Sequence, residues 1–159
     1  MSATLTADGL ALHYVVHGDP AAIRLPEARP PQAADELWQH TCCEAFIAPA
    51  AGTAYREFNF SPAGEWAAYG FTDYRARDTA YLAPHGPRIE LRQLANGFEL
   101  TASLALELLP AGPAWQIGLT MVIEAADGSK SYWALAHPAA QPDFHLRPGF
   151  SLILKAARP

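Results

Sequence analysis

The sequence is poor in cysteine, in charged residues and in long apolar runs, and each shortage excludes a class of protein. Its only two cysteines, Cys42 and Cys43, are adjacent. Neighbouring residues of a strand point to opposite faces, so a disulfide between these two would need a strained turn. We therefore expect two reduced thiols, with Cys43 in the core and Cys42 on the opposite face.

Charged residues make up only 17% of the chain and hydrophobic residues 50%, a composition that excludes a disordered protein. The net charge of -5 argues against nucleic acid, whose backbone needs a basic stripe, and against an anionic membrane surface. No segment approaches the ~18 uninterrupted apolar residues that span a bilayer. The first residues, MSATLTADGLALHY, lack the basic and apolar regions of a signal peptide, so we expect a cytoplasmic location.

Apolar and polar residues alternate through most of the chain, and helical periodicity is nearly absent. IELRQLANGFELTASLALEL carries Asn96-Gly97 between two alternating runs, which predicts a type I′ hairpin. WQIGLTMVIEAADGSKSYWALAH predicts a second hairpin at Asp127-Gly128. LPEARPPQAADELW predicts a long loop that ends in a helical turn. About eight or nine short strands favour a single all-β domain over residues 1–159, either a β-sandwich or a barrel. Of these we predict an antiparallel two-sheet β-sandwich with little helix.

Polar residues stand among aromatic ones in the three strands predicted at 42–47, 55–60 and 66–71. If Glu44 lies opposite Glu57 or Asn59, the first hairpin separates into two faces. The apolar face then carries Cys43, Ala45, Ile47, Phe58 and Phe60, and the polar face carries Cys42, Glu44, Phe46, Tyr55, Glu57 and Asn59. We expect this register because a buried face sets it. The turn SPAG is expected to add Ala67, Tyr69 and Phe71 to the apolar face, and Trp66, Ala68 and Gly70 to the polar face.

Carboxylates close together across a strand pair destabilise a sheet unless something compensates them. One interpretation is an internal arginine, for which the candidates are Arg75, Arg88 and Arg92. The other is a concave ligand site. Sugars suit such a surface, since their C–H faces stack on Trp or Tyr rings and their hydroxyls bond to Asn, Asp and Glu. We predict a ligand-binding face and rim formed by Trp38, His40, Glu44, Glu57, Asn59, Trp66, His137, Asp143 and His145.

The segments LWQHTCCEAFI, YREFNFSPAGEWAAYGFTDYR and HPAAQPDFHLRPGF resemble the bacterial DOMON-like domains, which are related to family 9 carbohydrate-binding modules. The resemblance runs from Leu10 to Leu154, and its middle segment is the specific part because order and spacing both match. It implies a jelly-roll-like β-sandwich with a ligand pocket on one face. In different branches of the family the ligand is a sugar or haem. We therefore expect a non-catalytic domain that binds a sugar-like small molecule.

Three other functions stay open on the sequence. His137, Asp143 and His145 could ligate zinc or iron, or they could form a stiff loop in which the carboxylate accepts backbone N–H bonds. A haem could take Met121 with either histidine as axial ligands, although Met121 also falls on an apolar alternation. Glu44 and Glu57 could act as the acid/base pair of an enzyme on a sugar derivative. No cofactor or metal is predicted outright, and the sequence does not define an oligomeric state.

Overall fold

The structure, a computed structural model, describes residues 1–155, and its regular secondary structure is almost entirely β-strand. The strands are β1 (Ser2–Thr6), β2 (Gly9–His17), β3 (Cys42–Pro49), β4 (Tyr55–Phe60), β5 (Trp66–Asp73), β6 (Ala76–Asp78), β7 (Arg88–Leu94), β8 (Gly97–Ala105), β9 (Ala114–Glu124), β10 (Lys130–Ala134) and β11 (Leu152–Lys155). Short 3-10 turns lie at Pro20–Ala22, Leu37–Gln39, Leu106–Leu108 and Arg147–Gly149. Within residues 1–155 no helix has the length and apolar character needed to cross a membrane. The predicted domain also includes residues 156–159, which lie outside the described residues.

The strands form two antiparallel sheets that pack face to face. The smaller sheet has the order β1-β2-β8-β7, and the seven-stranded sheet has the order β10-β9-β3-β4-β5-β6, with β11 also paired to β9. Between them lies the main core, where Leu12, Tyr14 and Leu100 of the smaller sheet meet Phe58 and Leu119 of the larger one. The predicted antiparallel two-sheet sandwich is therefore confirmed.

Both predicted hairpins form, but one turn differs from the prediction. Leu94 pairs with Gly97, so the loop is Ala95-Asn96 and Gly97 begins β8. Neither loop residue has a positive φ, so the turn is not type I′, which needs two. Gly97 takes φ 137, and a Cβ there would meet the Val16 carbonyl oxygen at 1.9 Å. The glycine is required by this close approach of β2, not by the turn itself.

The first hairpin of the polar stretch has the predicted register. Glu44 pairs with Asn59 and Phe46 with Glu57, so Glu44 and Glu57 are diagonal neighbours on one face. The other face, with Phe58 and Phe60, enters the main core. Because the second sheet covers only that inner face, the carboxylates lie on the outer face of the larger sheet.

The third strand has the opposite orientation to the prediction. Phe60 pairs with Trp66, and Glu57 pairs with Tyr69, so Tyr69 shares the outer face with the carboxylates. Ala67 and Phe71 share the outer face with Tyr69, while Ala68 and Gly70 share the inner face with Trp66. The reason is the turn: it includes Glu65, whose carbonyl accepts the Ser61 N–H at 2.9 Å. One extra residue in a turn exchanges the faces of the strand that follows.

The two cysteines are free and fully buried, as expected. Cys43 belongs to the main core, opposite Phe60. Cys42 is on the outer face, where its Sγ lies 3.9 Å from the Asn59 Oδ1. Burial raises the pKa of both thiols, so neither is a ready nucleophile at neutral pH.

Candidate ligand-binding site

A cleft of about 810 Å³ lies over the outer face of the larger sheet. Its floor consists of residues from β3, β4, β5 and β9: Glu44, Phe46, Glu57, Tyr69, Phe71 and Val122. Its walls come from the loop before β3, the β5–β6 edge, β10 and the loop before β11: Asp35, Glu36, Trp38, Arg75, Arg77, Tyr132, Pro142, Phe144 and His145. The outer face is therefore neither core nor open surface, because loops partly roof it.

Glu44 and Glu57 are almost removed from water at the bottom of this cleft, with exposures of 3% and 6%. Glu44 Oε2 accepts the Thr120 hydroxyl at 3.0 Å, and Glu57 Oε1 accepts the Asn59 amide at 2.8 Å. Burial, with the neighbouring Glu57 carboxylate, raises the pKa of Glu44 to about 8. Burial also raises the pKa of Glu57. At neutral pH Glu44 is thus a protonated acid beside Glu57.

No arginine of residues 1–155 forms an ion pair with either carboxylate. Arg88 and Arg92 lie on β7 of the other sheet, where they pair with Glu90 and Glu99. Arg75 pairs with Asp143 at 2.9 Å. The charges of Arg77 and Arg75 nevertheless lower the pKa of Glu57, against the larger effect of burial. The interpretation of the carboxylates as partners of an internal arginine therefore has no contact to support it.

His145 is the basic side chain that comes nearest to Glu57, with Nε2 3.7 Å from Oε2. The Tyr55 hydroxyl accepts the Arg75 backbone N–H at 3.1 Å and lies 2.8 Å from His145 Nδ1. In the tautomer in which this hydroxyl donates to Nδ1, the ring proton is on Nε2, the nitrogen nearer to Glu57. Burial lowers the pKa of His145 to about 4, so the ring is neutral at physiological pH.

Two arginines reach the cleft, Arg75 from the turn between β5 and β6 and Arg77 from β6, and each is held differently. Arg75, in the left-handed region with φ 53, is fixed by Asp143, which also accepts the Tyr74 hydroxyl at 2.5 Å. Arg77 lies over the Tyr69 ring, with its guanidinium carbon 3.7 Å from the ring centroid. Tyr69 in turn donates its hydroxyl to Asp35 at 2.7 Å and thereby ties the loop before β3 to the sheet.

The nine residues predicted for the site divide into three groups. Trp38, Glu44, Glu57 and His145 line the cleft. Asn59 and Asp143 stand behind the lining, where they hold Glu57 and Arg75. The other three, His40, His137 and Trp66, do not line it.

Each of these three residues has another environment. His40 Nδ1 lies 2.7 Å from Glu124 Oε2, beyond the end of the cleft. His137 is exposed, and its ring lies near that of Phe144, with 6.2 Å between the ring centroids. Trp66 is on the inner side of β5 and packs against Gly86, where a Cβ would come within 2.3 Å of its ring. The expectation that Trp66 borders the polar face is therefore wrong, for the reason of turn length given above.

The geometry does not assemble the haem pair considered from the sequence. Met121 is in the main core and faces the smaller sheet, whereas His145 is over the outer face. The sheet itself separates them. For the proposed metal set, Asp143 is occupied by Tyr74 and Arg75. In residues 1–155 no three His, Cys, Asp or Glu side chains converge as a metal site would require.

Sequence reasoning missed most of the aromatic and basic lining. Tyr69 and Phe71 were assigned to the core because the turn length was misjudged. Arg77 lies on β6 and Tyr132 on β10, the two edge strands of the larger sheet. Nothing in the local sequence shows which face of the sheet these two side chains occupy. The polar residues of the loop 142–145 do predict His145 as a site residue, and His145 lines the cleft.

The comparisons with known proteins bear on the fold. No family model and no curated protein matches this chain. Among solved structures, the chain is similar to a Bacteroides uniformis protein described as a "putative carbohydrate-binding protein". The TM-score is 0.65 at 17% sequence identity, and the match covers 92% of this chain and 72% of that one. At this identity the likeness shows a shared β-sandwich fold.

Proposed function

We propose that the chain is a non-catalytic domain that binds a carbohydrate or a sugar derivative in the outer-face cleft. The observation that carries this proposal is the composition of the cleft. Exposed aromatic rings stand at its rim, among them Trp38 and Tyr132, and hydrogen-bonding carboxyls lie on its floor. Sugars present both an apolar C–H face and a ring of hydroxyls, so they match such a surface.

The size of the cleft and the similar structure agree with this proposal. A cleft of about 810 Å³ lies within the range of small-molecule sites and would hold a short saccharide. The B. uniformis protein with the same fold is described as a "putative carbohydrate-binding protein". We extend the proposal to membership of the bacterial DOMON-like domains related to family 9 carbohydrate-binding modules, and to a cytoplasmic location.

Two tryptophans provide a matched test. Trp38 is 50% exposed and lines the cleft, whereas Trp133 is 56% exposed on β10 and does not. We expect a panel of mono- and oligosaccharides to contain a ligand measurable by calorimetry. Trp38→Ala should weaken it at least about tenfold, because the stacking ring is lost, and Trp133→Ala should not. The proposal fails if no saccharide of a broad panel binds, or if both variants bind like the wild type.

A second candidate function is glycoside hydrolysis, favoured by one observation. Glu44, with its pKa raised to about 8, is protonated at neutral pH beside Glu57, and glycosidases pair an acid with a second carboxyl group in this way. Aryl glycosides report such turnover directly. If the wild type hydrolyses an aryl glycoside and Glu44→Gln abolishes this activity, the protein is a glycoside hydrolase. If neither the α- nor the β-anomer is hydrolysed, the proposal of a non-catalytic binding domain stands.

A further inference from the structure

Resting on the proposed carbohydrate site, we propose that its ligand is an amino sugar, whose protonated amino group lies over Glu44 and Glu57. The starting point is a pair of buried carboxyl groups without a cationic partner. Two carboxyl groups lie in one buried floor, and in residues 1–155 neither has a Lys or Arg within ion-pair distance. Buried carboxylates of this kind are ordinarily paired. A ligand ammonium would supply the missing partner.

Unused acceptor atoms face the cleft. Glu44 Oε2 is taken by Thr120, but within the described part of the chain Oε1 accepts no hydrogen bond. Glu57 Oε1 is taken by Asn59, and Oε2 has only His145 at 3.7 Å, beyond hydrogen-bond distance. Each carboxyl group thus keeps one oxygen for a ligand. An ammonium offers three donors and suits two such oxygens, whereas a hydroxyl donates only one.

The aromatic walls favour the same ligand. Phe46, Tyr69 and Phe71 border the carboxyl groups, and Trp38 and Tyr132 stand above them. Ring faces attract cations, most strongly where water is excluded. The chain already uses this attraction in the cleft, since the Arg77 guanidinium lies 3.7 Å from the Tyr69 ring centroid. A second cation deeper in the cleft would meet both ring faces and carboxylates.

The other charged groups around the floor do not remove the need for a cation. Arg75 is paired with Asp143 and lowers the pKa of Glu57 without contacting it, and His145 is uncharged because burial lowers its pKa to about 4. Asp35 and Glu36 line the wall and add negative charge. Arg77 opposes them from the Tyr69 ring, and it lowers the pKa of Glu57 without touching it. Among residues 1–155 no cation contributes to the pKa of Glu44, which the Thr120 hydrogen bond lowers.

Proton release gives the proposal a signature that a neutral sugar lacks. In the free protein Glu44 keeps its proton at neutral pH, because its pKa is about 8. An ammonium placed beside it favours the carboxylate. Binding of the amino sugar should therefore release up to about one proton per site, which is measured from calorimetric enthalpies in buffers of different ionisation enthalpy.

The experiment compares sugars that differ only in the substituent at carbon 2. Glucose, N-acetylglucosamine and glucosamine, and the corresponding β-1,4-linked trisaccharides, carry a hydroxyl, an acetamide and an ammonium there. At pH 7 we expect the amino form to bind about tenfold more tightly than its neutral counterparts. Glu57→Gln should remove that preference, so that the amino form binds no more tightly than its neutral counterparts. Glu107→Gln, which removes an exposed carboxylate outside the cleft, should leave the preference intact.

The results separate this inference from the proposed function. A neutral saccharide that binds as tightly as its amino form, without proton release, overturns the amino-sugar assignment and leaves a carbohydrate site. Failure of every saccharide overturns both. If Glu57→Gln lowers the melting temperature markedly, Glu44→Gln provides the second variant, and retention of the amino preference in both folded variants contradicts the proposal.

Discussion

Glu44 and Glu57 show how far alternation along a strand can be read from sequence. Their places on one face, separate from Phe58 and Phe60, follow from strand parity alone, and the structure confirms them. Their depth does not follow from parity. Both are buried because distant loops cover the outer face, and that cover depends on residues up to a hundred positions away. The sequence thus predicts which residues neighbour a carboxyl group better than it predicts how far that group is exposed to solvent.

Replacement of Glu57 by Ala tests whether this carboxylate serves structure or binding. Its burial is costly, and its contacts are one hydrogen bond from Asn59 and the long approach of His145. We expect Glu57→Ala to leave the free energy of unfolding unchanged or to raise it, because a buried carboxyl group beside Glu44 is removed. Saccharide binding should weaken by about 1–3 kcal/mol. Urea unfolding and calorimetry measure the two quantities.

The control for that experiment is Asn59→Ala, which removes the amide that supports Glu57 but no cleft-lining group. It should destabilise the protein, since it leaves Glu57 Oε1 without its donor. Unfolding of Glu57→Ala itself would instead mean that the carboxylate holds the sheet together, and the ligand site would then have to be sought elsewhere.

The third strand of the stretch shows where local reasoning stops. The alternation within β5 is as predicted. Which face of β5 continues the outer face of β4 depends, however, on whether Glu65 belongs to the turn. The Ser61–Glu65 hydrogen bond includes it, and Tyr69 and Phe71 therefore join the cleft in place of Trp66. A one-residue uncertainty in a turn leaves the strand assignment intact but reverses its faces, and so changes the aromatic side chain available to a ligand.

Truncation of Phe58 tests the assignment of the β4 faces. Phe58 is fully buried between the sheets and stacks on Phe60, with ring planes 1° apart. Phe58→Ala should lower the free energy of unfolding by about 3–5 kcal/mol, because it opens a cavity in the main core. Equilibrium unfolding in urea measures this cost, and a loss below about 1 kcal/mol would mean that the inner face is misassigned.

Arg56 offers a comparison on the same strand. It is half-buried, at an even-numbered position like Phe58, but lies at the end of the strand, where it donates to the Leu108 carbonyl at 2.7 Å. Arg56→Ala should cost clearly less than Phe58→Ala, since it removes hydrogen bonds at the edge and leaves the core filled. Equal costs would contradict the central position of Phe58.

The cleft exists because loops enclose the outer face of the larger sheet, which the sandwich itself leaves uncovered. The loop before β3 and the loop before β11 close over part of it, tied down by the Tyr69–Asp35 and Tyr55–His145 hydrogen bonds. The sandwich was predictable from many short strands. The two loops that cover the cleft were not predictable, because their hydrogen bonds join segments that are far apart in sequence.

The pH dependence of folding should reveal the buried carboxyl groups directly. Glu44 has a folded pKa of about 8 against an ordinary value of 4.5, so between these values the folded state binds more protons than the unfolded state. Stability must then fall as pH rises, by up to about 1.4 kcal/mol per pH unit. His145 acts in the opposite sense between its folded pKa of about 4 and its ordinary 6.5, where stability rises with pH. The two effects oppose each other below pH 6.5, and above it the Glu44 effect is unopposed by His145.

We therefore expect the free energy of unfolding of the wild type to decline between pH 6.5 and pH 8, the window that these pKa values define. Glu44→Gln should flatten that decline, because glutamine has no proton to lose, while the exposed Glu107→Gln should follow the wild type. Urea titrations at half-unit steps of pH measure both curves. A Glu44→Gln curve that falls in parallel with the wild type would show that Glu44 is ionised in the folded protein, and the floor of the cleft would then carry two charges that something else must neutralise.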